Sequence, residues 1–156
     1  MGIGNVIVTD FQGQYSNQFY KLNKAWIEES WVLEDSDKKD LLNPKKIIQN
    51  GGQIFFAIID NEVVGTVAMI KNSDKVYELA KMTVKFAFRG KGIANLLMDK
   101  CIKFAFKKNA REIFLISNDS LIVARNLYEK YGFKEVVLDS QKYKRGNVKM
   151  ILQITT

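Results

Sequence analysis

Histidine is absent from the 156 residues, and cysteine and proline occur once each, as Cys101 and Pro44. The first absence removes imidazole metal ligands, His acid–base chemistry and a Ser-His-Asp triad. One cysteine without histidine leaves no zinc set, and no metal site is expected. A lone thiol forms no internal disulfide, which fits a reducing cytoplasm. Any general base must therefore be a carboxylate, a tyrosine, a lysine or water. No apolar run approaches the roughly 20 residues that span a bilayer. The start, Met1-Gly2-Ile3-Gly4-Asn5, has neither a basic flank nor an apolar signal core, which argues against secretion.

What is present reads as one globular domain over residues 1–156, with 47% hydrophobic and 26% charged residues. The net charge of +7 gives solubility, or favours an anionic ligand such as nucleic acid or a phosphorylated cofactor. Charge alone does not choose between them.

Along the chain, 6–9 reads as a first strand. Phe19, Leu22, Trp26, Ile27 and Trp31 recur at helical spacing over 14–31. A second helix is expected over 35–42, and a third after Asn43-Pro44, with Asn as N-cap and Pro at the first helical position, stopping at Asn50-Gly51-Gly52. Two apolar runs, 54–59 and 63–70, flank the turn signal Asp60-Asn61-Glu62, and a third strand follows over 76–84. A helix over 91–109 then leads to a strand at 113–116, making a βαβ unit with a parallel pair. A helix over 120–131 ends at Gly132, and strands 133–138 and 148–154 close an antiparallel pair. The pattern is α/β or α+β: a mixed, largely antiparallel sheet flanked by helices.

Between the strand ending at Val84 and the helix carrying Ile93, Leu96, Leu97 and Cys101 lies Arg89-Gly90-Lys91-Gly92. A glycine turn that opens a helix presents backbone N–H groups at the positive end of the helix dipole, a place for phosphate. The plain alternative is a helix cap with two solvated basic residues. A P-loop is excluded, because Gly-x-x-x-x-Gly-Lys-Ser/Thr does not occur.

Arg89-Gly90-Lys91-Gly92-Ile93-Ala94 resembles the acyl-CoA-binding signature of the GNAT acyltransferase superfamily. Ala124-Arg125-Asn126-Leu127-Tyr128-Glu129-Lys130-Tyr131-Gly132-Phe133 is similar to its later Ala-x-x-Leu-Tyr-x-x-x-Gly-Phe block. The resemblance covers essentially the whole chain. It implies a GNAT-like sheet with a splayed central parallel strand pair, acetyl-CoA as co-substrate, and direct acetyl transfer to an amine in a ternary complex. It also implies that the pyrophosphate sits on Arg89, Gly90, Lys91, Gly92, Ile93 and Ala94, while the coenzyme arm pairs with the strand at Met82, Thr83 and Val84. The splayed pair would be 78–84 and 113–116. The family often has an asparagine on the coenzyme arm where this chain has Leu121. Asn118 stands as its substitute or as a helix cap, and Asn126 faces the same region.

Glu78 is the candidate base, an acid on the cofactor strand between apolar neighbours. The alternative is an ion pair with a nearby lysine or a solvent-facing edge position. Lys81 lies on the opposite face unless a bulge intervenes. The resemblance makes Tyr128 the proton donor to the leaving thiolate, the alternative being a ring that anchors the core. Cys101 reads as a small buried apolar residue. The resemblance places the acceptor between an acidic loop after the first helix and a basic loop between the last strands. Trp31 and Glu34 lie on the first, Tyr143 and Arg145 on the second. Opposite charge on two walls suits a small zwitterion, so the expected partner is a small-molecule amine or amino acid. Neither nucleic acid nor membrane is expected as a partner, and a homodimer is left open. A non-catalytic acyl-CoA sensor and a polyanion-binding module are the rival readings.

Overall fold

The computed structural model describes residues 5–138 and 145–154. In chain order these form β1 (Ile7–Thr9), α1 (Ser16–Glu28), α2 (Asp35–Leu41), α3 (Pro44–Gln49), β2 (Gln53–Ile59), β3 (Glu62–Ser73) and β4 (Val76–Val84). Then come α4 (Ile93–Lys107), β5 (Glu112–Ser117), α5 (Ile122–Lys130), β6 (Lys134–Val136) and β7 (Val148–Gln153). The sheet order is β1-β2-β3-β4-β5-β7-β6. All neighbours are antiparallel except β4 and β5.

The meander follows from local chemistry. Asp60 and Asn61 both adopt left-handed φ, 48° and 66°, which gives the β2–β3 turn a backbone twist matching that of the strands it joins. Strand β2 is apolar at almost every position because both its faces are covered. Phe55, Ala57 and Ile59 join a core cluster with Leu97, Met98 and Cys101 of α4. Ile54, Phe56 and Ile58 join a second cluster with Phe19, Leu22 and Ile27 of α1. Gly65 lets α4 approach the sheet, since a Cβ there would lie 3.3 Å from Ile93 and Leu97.

Helices α1, α4 and α5 are shorter than the sequence pattern indicates, while α3 ends at Gln49 as expected. Gly92, at φ 83°, caps α4 in a conformation that cannot continue a helix backwards, so α4 begins at Ile93. Helix α5 begins at Ile122, without a side-chain cap. Asn43 sits at the cap position of α3 but makes no capping bond; its Nδ2 donates to the Lys39 carbonyl at 2.8 Å. Strand β6 extends only over Lys134–Val136, at the exposed edge of the sheet.

Strand β4 carries the one irregularity that shapes the site. Its pairing with β3 slips between Thr66↔Thr83 and Ala68↔Ala80, and Lys81 has φ 58°. This β-bulge re-aims the side chains that follow it. Tyr77 and Leu79 pack in the α4 cluster, so Glu78 and Ala80 face α1–α3. The bulge turns Lys81 to that same side, where its Nζ meets Asp37 of α2 at 2.8 Å.

Candidate active site

The ladder between β4 and β5 has only three rungs, Val76↔Glu112, Tyr77↔Ile113 and Glu78↔Phe114. Beyond them the strands part, and Leu79–Val84 and Leu115–Ser117 flank a cavity of about 680 Å³. Backbone groups there lack a sheet partner across the gap, which suits a ligand with a peptide-like arm. At the end of β4 the chain makes a 3-10 turn over Phe86–Phe88 and reaches Gly90 and Gly92, at φ 75° and 83°. A Cβ on either glycine would meet nothing within 4 Å, so backbone conformation rather than space requires glycine here. The first amides of α4 have no intrahelical acceptor, which makes this end of the cavity a cradle for an anion.

The residues around Tyr128 are set by how α5 stops. Gly132, at φ 98°, lets its N–H bond to the Glu129 carbonyl at 3.0 Å, and the Phe133 N–H bonds to the Tyr128 carbonyl at 3.1 Å. This is a Schellman stop, whose usual apolar contact is here Phe133 on Tyr128, ring centroids 6.0 Å apart. The Leu-Tyr-x-x-x-Gly-Phe spacing thus fixes the tyrosine against the cavity. Burial, with a smaller contribution from Cys101, pushes the Tyr128 phenol up to about 12, so it is protonated at neutral pH. Its hydroxyl has no hydrogen-bond partner among the described residues. Tyr131, three residues on, turns away and donates to Asp99 at 2.7 Å. Burial pushes the Cys101 thiol above its ordinary range, as befits an apolar core residue.

Glu78 lines the cavity and is only 4% exposed. Met82, Thr83, Val84, Arg89, Gly90, Gly92, Ile93, Ala94 and Asn118 also line it, as do Trp31 and Arg145. Lys91 and Asn126 do not. Lys91 is exposed between the two glycines, and Asn126 is exposed on α5, away from the face formed by Ala124, Leu127 and Tyr128. The Arg89 guanidinium makes two bonds to Glu29, at 3.2 and 2.9 Å, and its Nε donates to the Val84 carbonyl at 2.8 Å. Asn118 caps no helix. Its Nδ2 donates to the Arg145 carbonyl at 2.6 Å, and its Oδ1 accepts from the Ser120 N–H at 2.9 Å.

The acceptor walls depart from the sequence expectation. The charges expected to stand apart are joined. Arg145 donates to both Asp37 oxygens at 2.8 and 2.7 Å and to Glu34 at 3.1 Å, while Lys81 holds Asp37 from below. Glu34 therefore meets Arg145 rather than the cavity. The Asp37 and Lys81 side chains are 0% and 3% exposed. Burial alone would raise the Asp37 carboxyl. Bonds from Arg145 and Lys81, the Lys81 charge and the Glu34 amide outweigh it and hold the carboxyl well below the usual range. Tyr143 lies outside the described residues. Asn23 and Trp26 of α1 were not singled out for the site, yet both line the cavity. The available signal was a polar residue, Asn23, in the apolar stripe Phe19, Leu22, Ile27.

The model of the acetyltransferase (GNAT) family matches residues 12–133. N-acetylaspartate synthetase of Xenopus tropicalis is 40% identical over 89 residues, 56% of this chain and 33% of that protein. The match thus spans about a third of the relative's length. A GNAT-family acetyltransferase of Staphylococcus aureus superposes with a TM-score of 0.89 at 24% identity, covering 97% of this chain and all of the other. The PaiA N-acetyltransferase of Thermoplasma acidophilum, in complex with coenzyme A, superposes with a TM-score of 0.79 at 19% identity over 97% of this chain and 100% of its own.

Proposed function

Because this chain belongs to the acetyltransferase (GNAT) family, we propose that it moves an acetyl group from acetyl-CoA to the amine of a small molecule, free amino acids being the first class to test. One observation carries the reading. A parted strand pair, a glycine cradle at a helix start and the Tyr128 hydroxyl all meet on one cavity. Coenzyme A supplies an activated thioester, a pyrophosphate and an amide-bearing arm. The cradle from Arg89 to Ala94 takes the pyrophosphate, and the unpaired backbone of Met82–Val84 pairs with the arm. Arg89 reaches the pyrophosphate by exchanging its bonds to Glu29.

The acceptor must present a neutral nitrogen, since an alkylammonium has a pKa near 10. Glu78, buried beside the parted strands, accepts that proton directly or through water. Backbone N–H groups at the parting stabilise the charge that develops on the carbonyl oxygen. Tyr128 gives its proton to the departing sulfur as the new C–N bond forms and the C–S bond breaks, and the further proton shed by the acylated nitrogen restores the phenol. The acetyl group passes straight to the amine, without an acyl-enzyme. The name of the aspartate-acetylating relative supports an amino-acid acceptor.

Thiol release from acetyl-CoA, measured across amino acids and primary amines, tests the proposal. Amine-dependent release is expected, and Glu78→Gln should lower kcat by about 10²-fold or more and change the pH–rate profile. Tight acetyl-CoA binding by calorimetry with no amine-dependent release would make the chain a sensor instead. An unchanged profile in Glu78→Gln would remove that residue from the role of base.

A further inference from the structure

Helix α1 turns an apolar stripe toward the sheet, and Asn23 interrupts it. The residue is 2% exposed, as buried as its apolar neighbours, and it lines the cavity. Its Nδ2 donates to the Phe19 carbonyl, one turn back, at 2.9 Å. That bond fixes the orientation of the amide, because only the NH₂ group can donate to a carbonyl. The Oδ1 atom is therefore directed away from the helix backbone, and it has no partner among the described residues. An amide oxygen left without a partner at a cavity wall is open to a ligand that supplies a donor. Trp26 and Trp31, with ring centroids 5.8 Å apart, line the same cavity beside it. Across from them, Glu78 projects from β4 toward the α1 side.

We propose that Asn23 is an acceptor-binding residue: its Oδ1 accepts an N–H bond from the incoming amine, whose body lies against the Trp26 and Trp31 indoles. The inference rests on the acetyltransferase reading and adds to it the group that holds the nucleophile. A neutral primary amine has two N–H bonds to offer. One directed to Asn23 leaves another for Glu78 and the nitrogen lone pair for the thioester carbon. Before deprotonation the ammonium also gains from the indole faces. A carbonyl-type oxygen cannot itself take the proton, so Asn23 orients and Glu78 ionises.

Trp26 and Trp31 are the only tryptophans, so intrinsic fluorescence reports on this wall. The experiment compares the wild type with Asn23→Leu, which keeps the branched outline without the polar atoms, and Asn23→Ala, which removes it. Each is titrated in the presence of coenzyme A with the amino acids and primary alkylamines of the thiol-release panel, followed by Trp fluorescence. Steady-state kinetics are measured for both substrates. Both variants should raise the acceptor KM and its fluorescence midpoint about three- to tenfold, the loss of one hydrogen bond. Acetyl-CoA KM should stay within twofold. A change of less than twofold in acceptor KM, or an equal loss for acetyl-CoA, would overturn the assignment. So would a defect in Asn23→Ala alone, which marks packing. If the wild type itself releases no thiol and shows no fluorescence response to any amine, the acetyltransferase reading falls and this one with it. Wild-type turnover with indifferent variants overturns Asn23 alone.

Discussion

Replacing Asp37 with asparagine keeps the shape of the side chain and removes its charge. In the native protein that carboxylate accepts two bonds from Arg145, one from Lys81 and one from the Glu34 N–H. The Lys81 side chain is 3% exposed, so the variant leaves an ammonium buried beside a neutral amide. Removing one partner of a buried pair destabilises a protein by about 3–5 kcal/mol. For a chain of this size that corresponds to a fall in Tm of about 6–20 °C. Combining Asp37→Leu with Lys81→Met should recover part of the loss, since the buried ammonium leaves together with the carboxylate, while Arg145 keeps its bond to Glu34. Chemical denaturation of the wild type, both single variants and the double variant measures this coupling. The pH dependence gives a second check. The folded carboxyl is held below its unfolded value near 3.9, so its stabilisation is fully present above about pH 4 and is lost as pH falls toward the folded value. Asp37→Asn should flatten that acid-side loss and leave the slope between pH 5 and 8 unchanged. A variant within 1 kcal/mol of the wild type at pH 7 would refute the view that Asp37 is a principal partner of the buried Lys81 ammonium.

Three further outcomes are open to measurement. Tyr128→Phe keeps the ring against Phe133 and removes the proton donor, so kcat should drop at least about tenfold while acetyl-CoA binding and Tm hold; a selective loss of binding would return Tyr128 to packing. Gly92→Ala forces an L-residue to φ 83°, at about 1–2 kcal/mol, and should raise acetyl-CoA KM; an unchanged KM would separate the turn from donor binding. Cys101 is buried with its thiol pushed up, so a thiol reagent should find no reactive group in the native protein and one after denaturation. Rapid native labelling would contradict the packing of α4.

The elements were legible where a local rule sets them. The Asp60-Asn61 turn, the glycine pair before α4 and the Tyr128–Gly132–Phe133 stop are short backbone requirements that leave their mark in adjacent residues. The parted strands were reached only through resemblance, because unpaired backbone has no side-chain signature. The bulge at Lys81 hid for a related reason: alternation along β4 reads the same until one residue takes a left-handed φ. The pairing of Arg145 with Asp37 joins positions 108 apart, a distance over which charge pattern carries no register. Two loops of opposite charge were visible in the sequence, and that they would close on each other was not. Asn23 could have been read, since an amide in the middle of a buried stripe already needs an explanation.

The three-rung ladder between β4 and β5 has a mechanical meaning. Strands β1 to β4 form one continuous hydrogen-bonded raft, and β5, β7 and β6 form another. Between them runs a seam stitched at one end only. A ligand arm lying in the open end adds stitches to that seam, so the donor substrate becomes a strand-like part of the protein's own framework. Amides flanking the seam should then exchange with solvent faster than those inside either raft, and slow together when acetyl-CoA is present.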